Sequence, residues 1–215
     1  GLKAAYDNIV KFGIDGLITI GGDGTFKGAN DLFNNYGVSV IGIPGTIDND
    51  LYGTDYTIGY DTALNTVVES VDKIRDTASS HRNLFFVEVM GGDSGFIALK
   101  SGIAVGAEAI LLPETQISAV DLIKKIELEI MKNKSSGIII VAEGNRNGNA
   151  YTIANLAKEK IKSYEIKIAV IGHLQRGGAP SCHDRVLASK LAYNAVYSLV
   201  KGAKNVMVGI KNNKI

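Results

Sequence analysis

The chain has 215 residues, of which 46% are hydrophobic and 21% are charged, enough to bury one large α/β domain or two small ones and too apolar for disorder. Lys and Arg total 23 against 22 Asp and Glu, a net charge of +1, which excludes a basic footprint for nucleic acid or an anionic membrane. The single cysteine excludes a disulfide framework and a multi-cysteine zinc site. No apolar run could span a bilayer and no signal peptide is visible, so we expect a cytoplasmic protein.

Glycine is the compositional anomaly, with 25 residues where a usual share of about 7% would give fewer. Many of these glycines follow apolar runs in the first quarter of the chain. The chain begins at Gly1, directly at the predicted helix 2–12, so we expect the N-terminal part of its domain to be missing.

Short apolar runs alternate with amphipathic stretches along the chain. The runs show no polar alternation, which is typical of strands covered on both faces. The predicted strands are 16–20, 38–43, 84–89, 109–112, 137–142, 166–171 and 206–210.

Helical patterns fill the segments between these strands. Ser118 with Asp121 forms a capping-box signature at the start of one helix. Apolar residues recur at helical spacing from Leu64 to Ile74 and predict a helix there. Two more helices are predicted at 154–162 and 186–201. Strand–helix alternation predicts βαβ units and parallel sheets. Glycine-bearing crossings at 53–59 and 171–178 are the best candidates for a domain boundary.

The first polar loop, Gly21-Gly22-Asp23-Gly24-Thr25, follows a predicted strand and precedes a helix. Consecutive glycines let backbone N–H groups approach phosphate oxygens, and a helix N-terminus favours anions. Asp23 would repel a phosphate unless Mg²⁺ lay between them. A tight turn with a helix cap is the alternative. The four residues Gly21-Gly22-Asp23-Gly24 are also similar to segments of NAD kinases and diacylglycerol kinases.

The second polar loop runs from Pro44 to Asp50 after the next strand. Asp48 and Asp50, at i and i+2, point the same way in an extended loop, and Thr46 could donate a hydrogen bond to a moving phosphoryl group. A general base beside a metal-bound nucleotide is what phosphoryl transfer to an alcohol requires. An Asx-turn loop is the alternative.

This loop resembles the catalytic region of the 6-phosphofructokinases. Further segments that match the family follow in the family's order, so that the resemblance covers almost the whole chain. The resemblance implies two Rossmann-like α/β lobes with largely parallel sheets covered by helices and an active site in the cleft between them. It implies a nucleotide lobe at 1–59 plus 172–215 and a sugar-phosphate lobe at 60–171. The other matching segments are 56–60, Val87-Glu88-Val89-Met90-Gly91, 107–114 and Gly172-His173-Leu174-Gln175-Arg176-Gly177-Gly178.

The resemblance implies transfer of the γ-phosphoryl of ATP, with Mg²⁺, to the 1-hydroxyl of fructose 6-phosphate, the committed step of glycolysis. Asp48 matches the general base, Asp50 its neighbouring carboxylate and Thr46 the contact to the transferred group. Asp23 matches the Mg²⁺ ligand. The nucleotide would contact Gly22, Asp23, Gly24 and Thr25, and the sugar phosphate Thr46, Asp48, Met90, Gly91, Glu143, His173 and Arg176.

The resemblance also implies a homotetramer and an effector site at subunit interfaces. Arg75, Glu108, Lys132 and Lys134 match its residues, although the two lysines could equally form a solvated helix end. Cys182 is interpreted as a bystander. With its N-terminal part and a short C-terminal piece absent, the chain alone is expected to be inactive.

Two alternatives stay open within the family. Pyrophosphate-dependent members usually carry Asp at Gly24 and Lys at Gly45, so these glycines favour ATP as the donor. Gly92, Asn83 and Lys167 each stand where an Arg is common, and a positive clamp on phosphate stabilises transition states. A catalytically weakened regulatory or sensing subunit is therefore the second alternative.

Overall fold

The computed structural model describes residues 1–78, 83–115, 117–132 and 137–215. It divides the chain into two compact units, one of Gly1–Tyr60 with Pro180–Ile215 and the other of Asp61–Ala179. Residues 172–179 thus fall in the second unit and Tyr60 in the first, whereas the division implied by the resemblance has 172–215 in the first lobe and 60–171 in the second. Both units are α/β, and every strand pairing within their sheets is parallel, which confirms the predicted fold class.

The first unit is built on a three-stranded sheet in the order β1-β2-β7. Strand β2 is buried along nearly its whole length, because α7 packs against Ile41 and Ile43 while Ile9 of α1 and Ala29 of α2 pack in one cluster with Val40. The elements of this unit are α1 (Leu2–Lys11), β1 (Gly16–Gly21), α2 (Asp23–Tyr36), β2 (Ser39–Pro44), α7 (Cys182–Val200) and β7 (Val206–Met207).

The second unit is built on a four-stranded sheet in the order β4-β5-β3-β6. The connection that leaves β3 runs to β4 at one edge of the sheet, and the connection that leaves β5 runs to β6 at the other edge. The strand order therefore reverses between β3 and β5, and open α/β sheets bind ligands at such a switch point. Its elements are α3 (Tyr60–Ala78), β3 (Asn83–Val89), α4 (Phe96–Ala104), β4 (Ala109–Leu111), α5 (Ala119–Lys132), β5 (Gly137–Ala142), α6 (Ala150–Lys160), β6 (Glu165–Val170) and a 3-10 helix (Gly172–Arg176).

Side-chain caps set where several helices begin. The predicted Ser118–Asp121 cap is confirmed, since the Asp121 N–H donates to the Ser118 hydroxyl. Asn149 accepts from the Thr152 N–H, so α6 starts before the predicted residue 154. Ser181 accepts from the Asp184 N–H, and α7 correspondingly starts before residue 186.

The last predicted strand is the clearest departure, because β7 ends at Met207 instead of residue 210. Beyond it the chain turns toward the loop after β2: the Asp55 N–H donates to the Ile210 carbonyl at 2.7 Å, and the Ile210 N–H donates to the Thr54 hydroxyl at 3.1 Å. Asn212 and Asn213 then form a left-handed two-residue turn, which the sequence analysis did not predict.

None of the helices in these ranges combines the length and apolar character that crossing a bilayer requires.

Candidate active site

The glycine-rich loop joins β1 directly to α2, as predicted. Gly22 is the N-cap of α2, and Asp23 is the first helical residue. A side chain at Gly21 would overlap Thr25, whose Oγ1 would lie 2.2 Å from the added Cβ. Gly21 therefore has no room for a side chain, and Gly22 provides no side-chain cap for the first N–H groups of α2, which suits an anion at this helix N-terminus.

Asp23 forms an ion pair with Lys27 one turn along α2, with 2.5 Å between Oδ2 and Nζ. The hydrogen bond from Lys27 to Asp23 is the larger cause that raises the pKa of Lys27, and the negative charge of Asp23 is the second. Both side chains are largely exposed. Across the described ranges, no three His, Cys, Asp or Glu side chains gather as a metal site. A single exposed carboxylate still fits Mg²⁺, which commonly takes one or two carboxylates and completes its shell with substrate phosphates.

The two loops predicted to act together meet within the first unit. A Cβ added to Gly22 would lie 3.5 Å from the Cβ of Thr46, and the Gly45 N–H donates to the Gly21 carbonyl at 2.9 Å. Gly45 has little space, because an added Cβ would be 2.9 Å from Cγ2 of Ile20. Parallel pairing of β1 and β2 therefore brings the glycine-rich loop against the Thr46 loop.

The loop after β2 is ordered by its own polar groups. Asp48 donates its backbone N–H to the Thr46 hydroxyl at 3.3 Å, and both residues are partly exposed, as is Asn49. Asn49 has a left-handed backbone with φ of 54° and accepts from the Thr57 N–H at 2.8 Å. Asp50 is exposed.

Asp184 anchors the end of this loop. Its side chain is 1% exposed, and Oδ1 accepts from the Gly59 N–H at 3.0 Å. The Ile58 N–H donates to the Pro44 carbonyl at 2.9 Å, so the loop returns to the strand it left. A buried carboxylate bonded to backbone is a structural contact that no local sequence signal identified.

In the second unit, the turn after β3 is held by the residue after β5. Oε1 of Glu143 accepts from the N–H groups of Gly91 at 3.1 Å and Gly92 at 2.8 Å. Close approach requires glycine at position 144, where an added Cβ would lie 2.4 Å from the Gly92 carbonyl. The residues after β3 and β5 therefore meet where the strand order of the sheet reverses. These residues are Met90, Gly91 and Glu143.

Gln175 ties the same turn to the 3-10 helix that carries His173 and Arg176. Its Oε1 accepts from the Met90 N–H at 2.9 Å, and the residue is only 1% exposed. Its Nε2 has no hydrogen-bond partner in the described part of the chain. His173 and Arg176 are exposed on either side of it. Gln175 lies within the matching segment 172–178, but no local pattern indicates its role, because its partner Met90 lies far away in the sequence.

The predicted effector residues are engaged in backbone contacts where they are described. Arg75 donates to the Val105 carbonyl, and Glu108 accepts from the Ile138 N–H. Lys134 lies outside the described residues, as does the side chain of Lys132. The effector role stays a prediction.

The three positions lacking an expected Arg have different surroundings. Gly92 is exposed with φ of 58°. Asn83 is 8% exposed at the start of β3, and its Oδ1 finds no partner among the described residues. Lys167 pairs with Glu165. Cys182 is an exposed free thiol at the start of α7.

Comparisons with known proteins agree with this geometry. The Phosphofructokinase family model matches residues 1–199. The chain is 50% identical over 215 residues to ATP-dependent 6-phosphofructokinase 2 of Bacteroides thetaiotaomicron, covering all of this chain and 66% of that protein. It is 50% identical over 209 residues to ATP-dependent 6-phosphofructokinase 1 of Thermus thermophilus, covering 97% of this chain and 65% of that protein.

Solved structures agree on the fold. The Pichia pastoris phosphofructokinase in the T-state superposes with a TM-score of 0.87 at 34% identity, covering 100% of this chain and 25% of that one. A pyrophosphate-dependent phosphofructokinase from Marinobacter aquaeolei has a TM-score of 0.83 at 22% identity, covering 99% of this chain and 59% of that one; it shows the fold alone. The chain spans just under two thirds of the first two relatives, and it belongs to the phosphofructokinase family.

Proposed function

We propose that this chain supplies most of an ATP-dependent 6-phosphofructokinase, which transfers the γ-phosphoryl group of ATP to the 1-hydroxyl of fructose 6-phosphate and yields fructose 1,6-bisphosphate. The observation that carries the proposal is the close approach of the two loops, in which the Gly45 N–H donates to the Gly21 carbonyl at 2.9 Å and a Cβ added to Gly22 would lie 3.5 Å from that of Thr46. It puts a loop suited to phosphate against a loop that bears Asp48. Phosphoryl transfer needs little besides such positioning and electrostatic stabilisation.

The proposed site residues of the first unit have distinct roles in the reaction. The N–H groups at the start of α2 face the nucleotide phosphates. Thr46 contacts the transferred group, Asp48 accepts the proton of the sugar hydroxyl, and Asp50 supplies a second carboxylate. Asp23 would hold Mg²⁺, which when bound neutralises charge on the phosphate oxygens.

The second unit would bind the sugar phosphate. Met90 and Gly91 form a turn that is fixed by Glu143, so its backbone is already in place when the sugar arrives. His173 and Arg176 are exposed on one short helix and provide two groups that can bond a 6-phosphate. Their exposure leaves both side chains accessible to a ligand.

The assembly and regulation follow the family resemblance. We propose a cytoplasmic homotetramer with an allosteric site that includes Arg75, Glu108, Lys132 and Lys134. Size measurement in solution tests the tetramer, and activity assays with and without a nucleoside diphosphate test the allosteric site. A monomer whose activity ignores nucleoside diphosphates would contradict them.

The activity is tested in the full-length protein that contains this chain. We expect phosphorylation of fructose 6-phosphate with ATP and little with pyrophosphate. Asp48→Ser should lower kcat by about 10²- to 10⁴-fold, the usual contribution of a general base, with little change in KM for the sugar. Asp7→Ser, on an exposed face of α1, is the control. Near-normal turnover of the Asp48 variant would remove the assignment of Asp48 as the base.

A further inference from the structure

Asn49 lies between the two proposed catalytic carboxylates and makes side-chain bonds in two directions. Its Oδ1 accepts from the Thr57 N–H at 2.8 Å, while its Nδ2 donates to the Asp55 carbonyl at 3.1 Å. An acceptor faces a donor and a donor faces an acceptor, so the orientation of the amide is settled by its partners. Asn49 thereby fastens the middle of the loop to its returning arm.

The Thr57 hydroxyl continues this connection to Thr46. It lies 2.6 Å from the Thr46 carbonyl oxygen and 3.1 Å from Oδ1 of Asn49. A hydroxyl has one proton, so the shorter contact takes it and the Thr46 carbonyl is the acceptor. Thr57 is 1% exposed, which keeps water from replacing these bonds.

The backbone at Asn49 adds a second, independent constraint. Its φ of 54° is in the left-handed region, which Asn tolerates better than most residues because its side chain can bond locally. The left-handed residue turns the chain between Asp48 and Asp50. Such conformations persist where the surrounding contacts determine them, and here the surrounding contacts are those with Thr57 and Asp55.

We propose that Asn49 and Thr57 are positioning residues that hold Thr46, Asp48 and Asp50 in the geometry for phosphoryl transfer. The inference rests on the proposed function of this loop. Neither side chain needs to touch substrate. Each acts through the backbone of a proposed catalytic residue, Thr57 on Thr46 and Asn49 on its two neighbours.

The test separates backbone shape from hydrogen bonding. Asn49→Gly keeps easy access to the left-handed conformation but deletes the amide. We expect kcat to fall about 100-fold, the scale of a small misplacement of catalytic groups, with KM for ATP changed by less than about threefold. Asn213→Gly makes the same substitution at another left-handed position, φ 62°, in an exposed turn, and is the matched control.

Thr57 provides a second route should the Asn49 variant fold poorly. Thr57→Val deletes the hydroxyl at nearly constant volume, whereas Thr57→Ser keeps it. We expect Thr57→Val to lower kcat by more than about tenfold and Thr57→Ser to recover most of that loss. In the double variant the two effects should not add, because both residues act on one network.

The outcomes distinguish this inference from the function on which it rests. A wild-type protein that phosphorylates no sugar phosphate overturns both. An active wild type whose Asn49→Gly and Thr57→Val variants keep kcat within about threefold overturns the positioning role alone. The positioning role is equally overturned if the two variants lose thermal stability while the folded fraction retains its full kcat.

Discussion

Glu143 and Gly92 are joined by a 2.8 Å hydrogen bond, in which a carboxylate oxygen at the end of β5 accepts from the backbone N–H in the turn after β3. The same oxygen accepts from Gly91. One side chain therefore fixes the turn that would hold the sugar. It does so between β5 and β3, the neighbouring strands at which the strand order reverses. Glu143, predicted as a ligand of sugar hydroxyls, has an ordering role in the protein itself.

Removing this carboxylate should weaken sugar binding selectively. We expect Glu143→Ala to raise KM for fructose 6-phosphate by about tenfold or more, since hydrogen bonds to charged groups contribute about 1.5–3 kcal/mol. Glu143→Gln keeps an acceptor and should have a smaller effect. KM for ATP should hold steady, and Glu159→Ala, exposed on α6, should change neither. Parallel increases in both KM values would contradict the assignment.

Restoring an arginine at position 92 tests the alternative of a weakened subunit. Gly92 has φ of 58°, and an L-residue with a side chain pays about 1–2 kcal/mol in that conformation. We expect Gly92→Arg to lower the unfolding free energy by about that amount and to leave kcat within about threefold of wild type. Gly92→Asn, which tolerates the conformation better, is the stability control. A gain above about tenfold in kcat would favour the weakened subunit instead.

The sequence predicts elements whose signal is local. Buried parallel strands such as β5 are read from continuous apolar runs, and the α5 cap from Ser118 and Asp121, because both depend on neighbouring residues. The predicted length of β7 was wrong, since residues after Met207 bond to Thr54 and Asp55. Such partners are remote in sequence.

The same reasoning applies to the site. Asp48, Thr46 and Glu143 belong to recognisable motifs, so sequence reasoning reached them. Gln175 and Asp184 gain their interest from burial against distant backbone. Nothing in a single sequence marks a polar residue as buried when its partner lies on another element.

The ATP preference is tested at Gly24, which has open space around it. Gly24→Asp should fold normally, and an acidic residue in the first turn of α2 is favourable by about 0.3–1 kcal/mol. Its charge would nevertheless repel nucleotide phosphates, so we expect kcat/KM for ATP to fall by more than about tenfold. Gly28→Asp, one turn later and also unobstructed, is the matched control. Equal losses in the two variants would contradict a nucleotide contact at Gly24.

Gly45 should respond differently because its surroundings are tight. An added Cβ would lie 2.9 Å from Cγ2 of Ile20 and 3.4 Å from the Gly21 nitrogen, so the Ile20 side chain or the backbone beside it must shift. Gly45→Ala should lower the unfolding free energy by about 1–3 kcal/mol, the usual cost of overpacking. Gly24→Ala, with open space, provides the comparison in urea unfolding. Similar midpoints for the two variants would show that the strands accommodate the methyl group.

Lys27 should compete with Mg²⁺ for Asp23. Lys27 is protonated at neutral pH with or without its partner, and because the carboxylate raises its pKa above the ordinary value of 10.5, the pairing would be lost only as pH rises past that value. An exposed i,i+4 pair is weak in water, so Lys27→Met should lower the Mg²⁺ needed for half-maximal activity by no more than about twofold. Asp23→Asn should raise it by more than about tenfold, because a carboxylate is the main protein ligand that Mg²⁺ uses. Lys73→Met, which breaks the equally exposed pair with Glu69 on α3, is the matched control, and an Asp23→Asn variant whose Mg²⁺ dependence stays within about twofold of wild type would place the metal elsewhere.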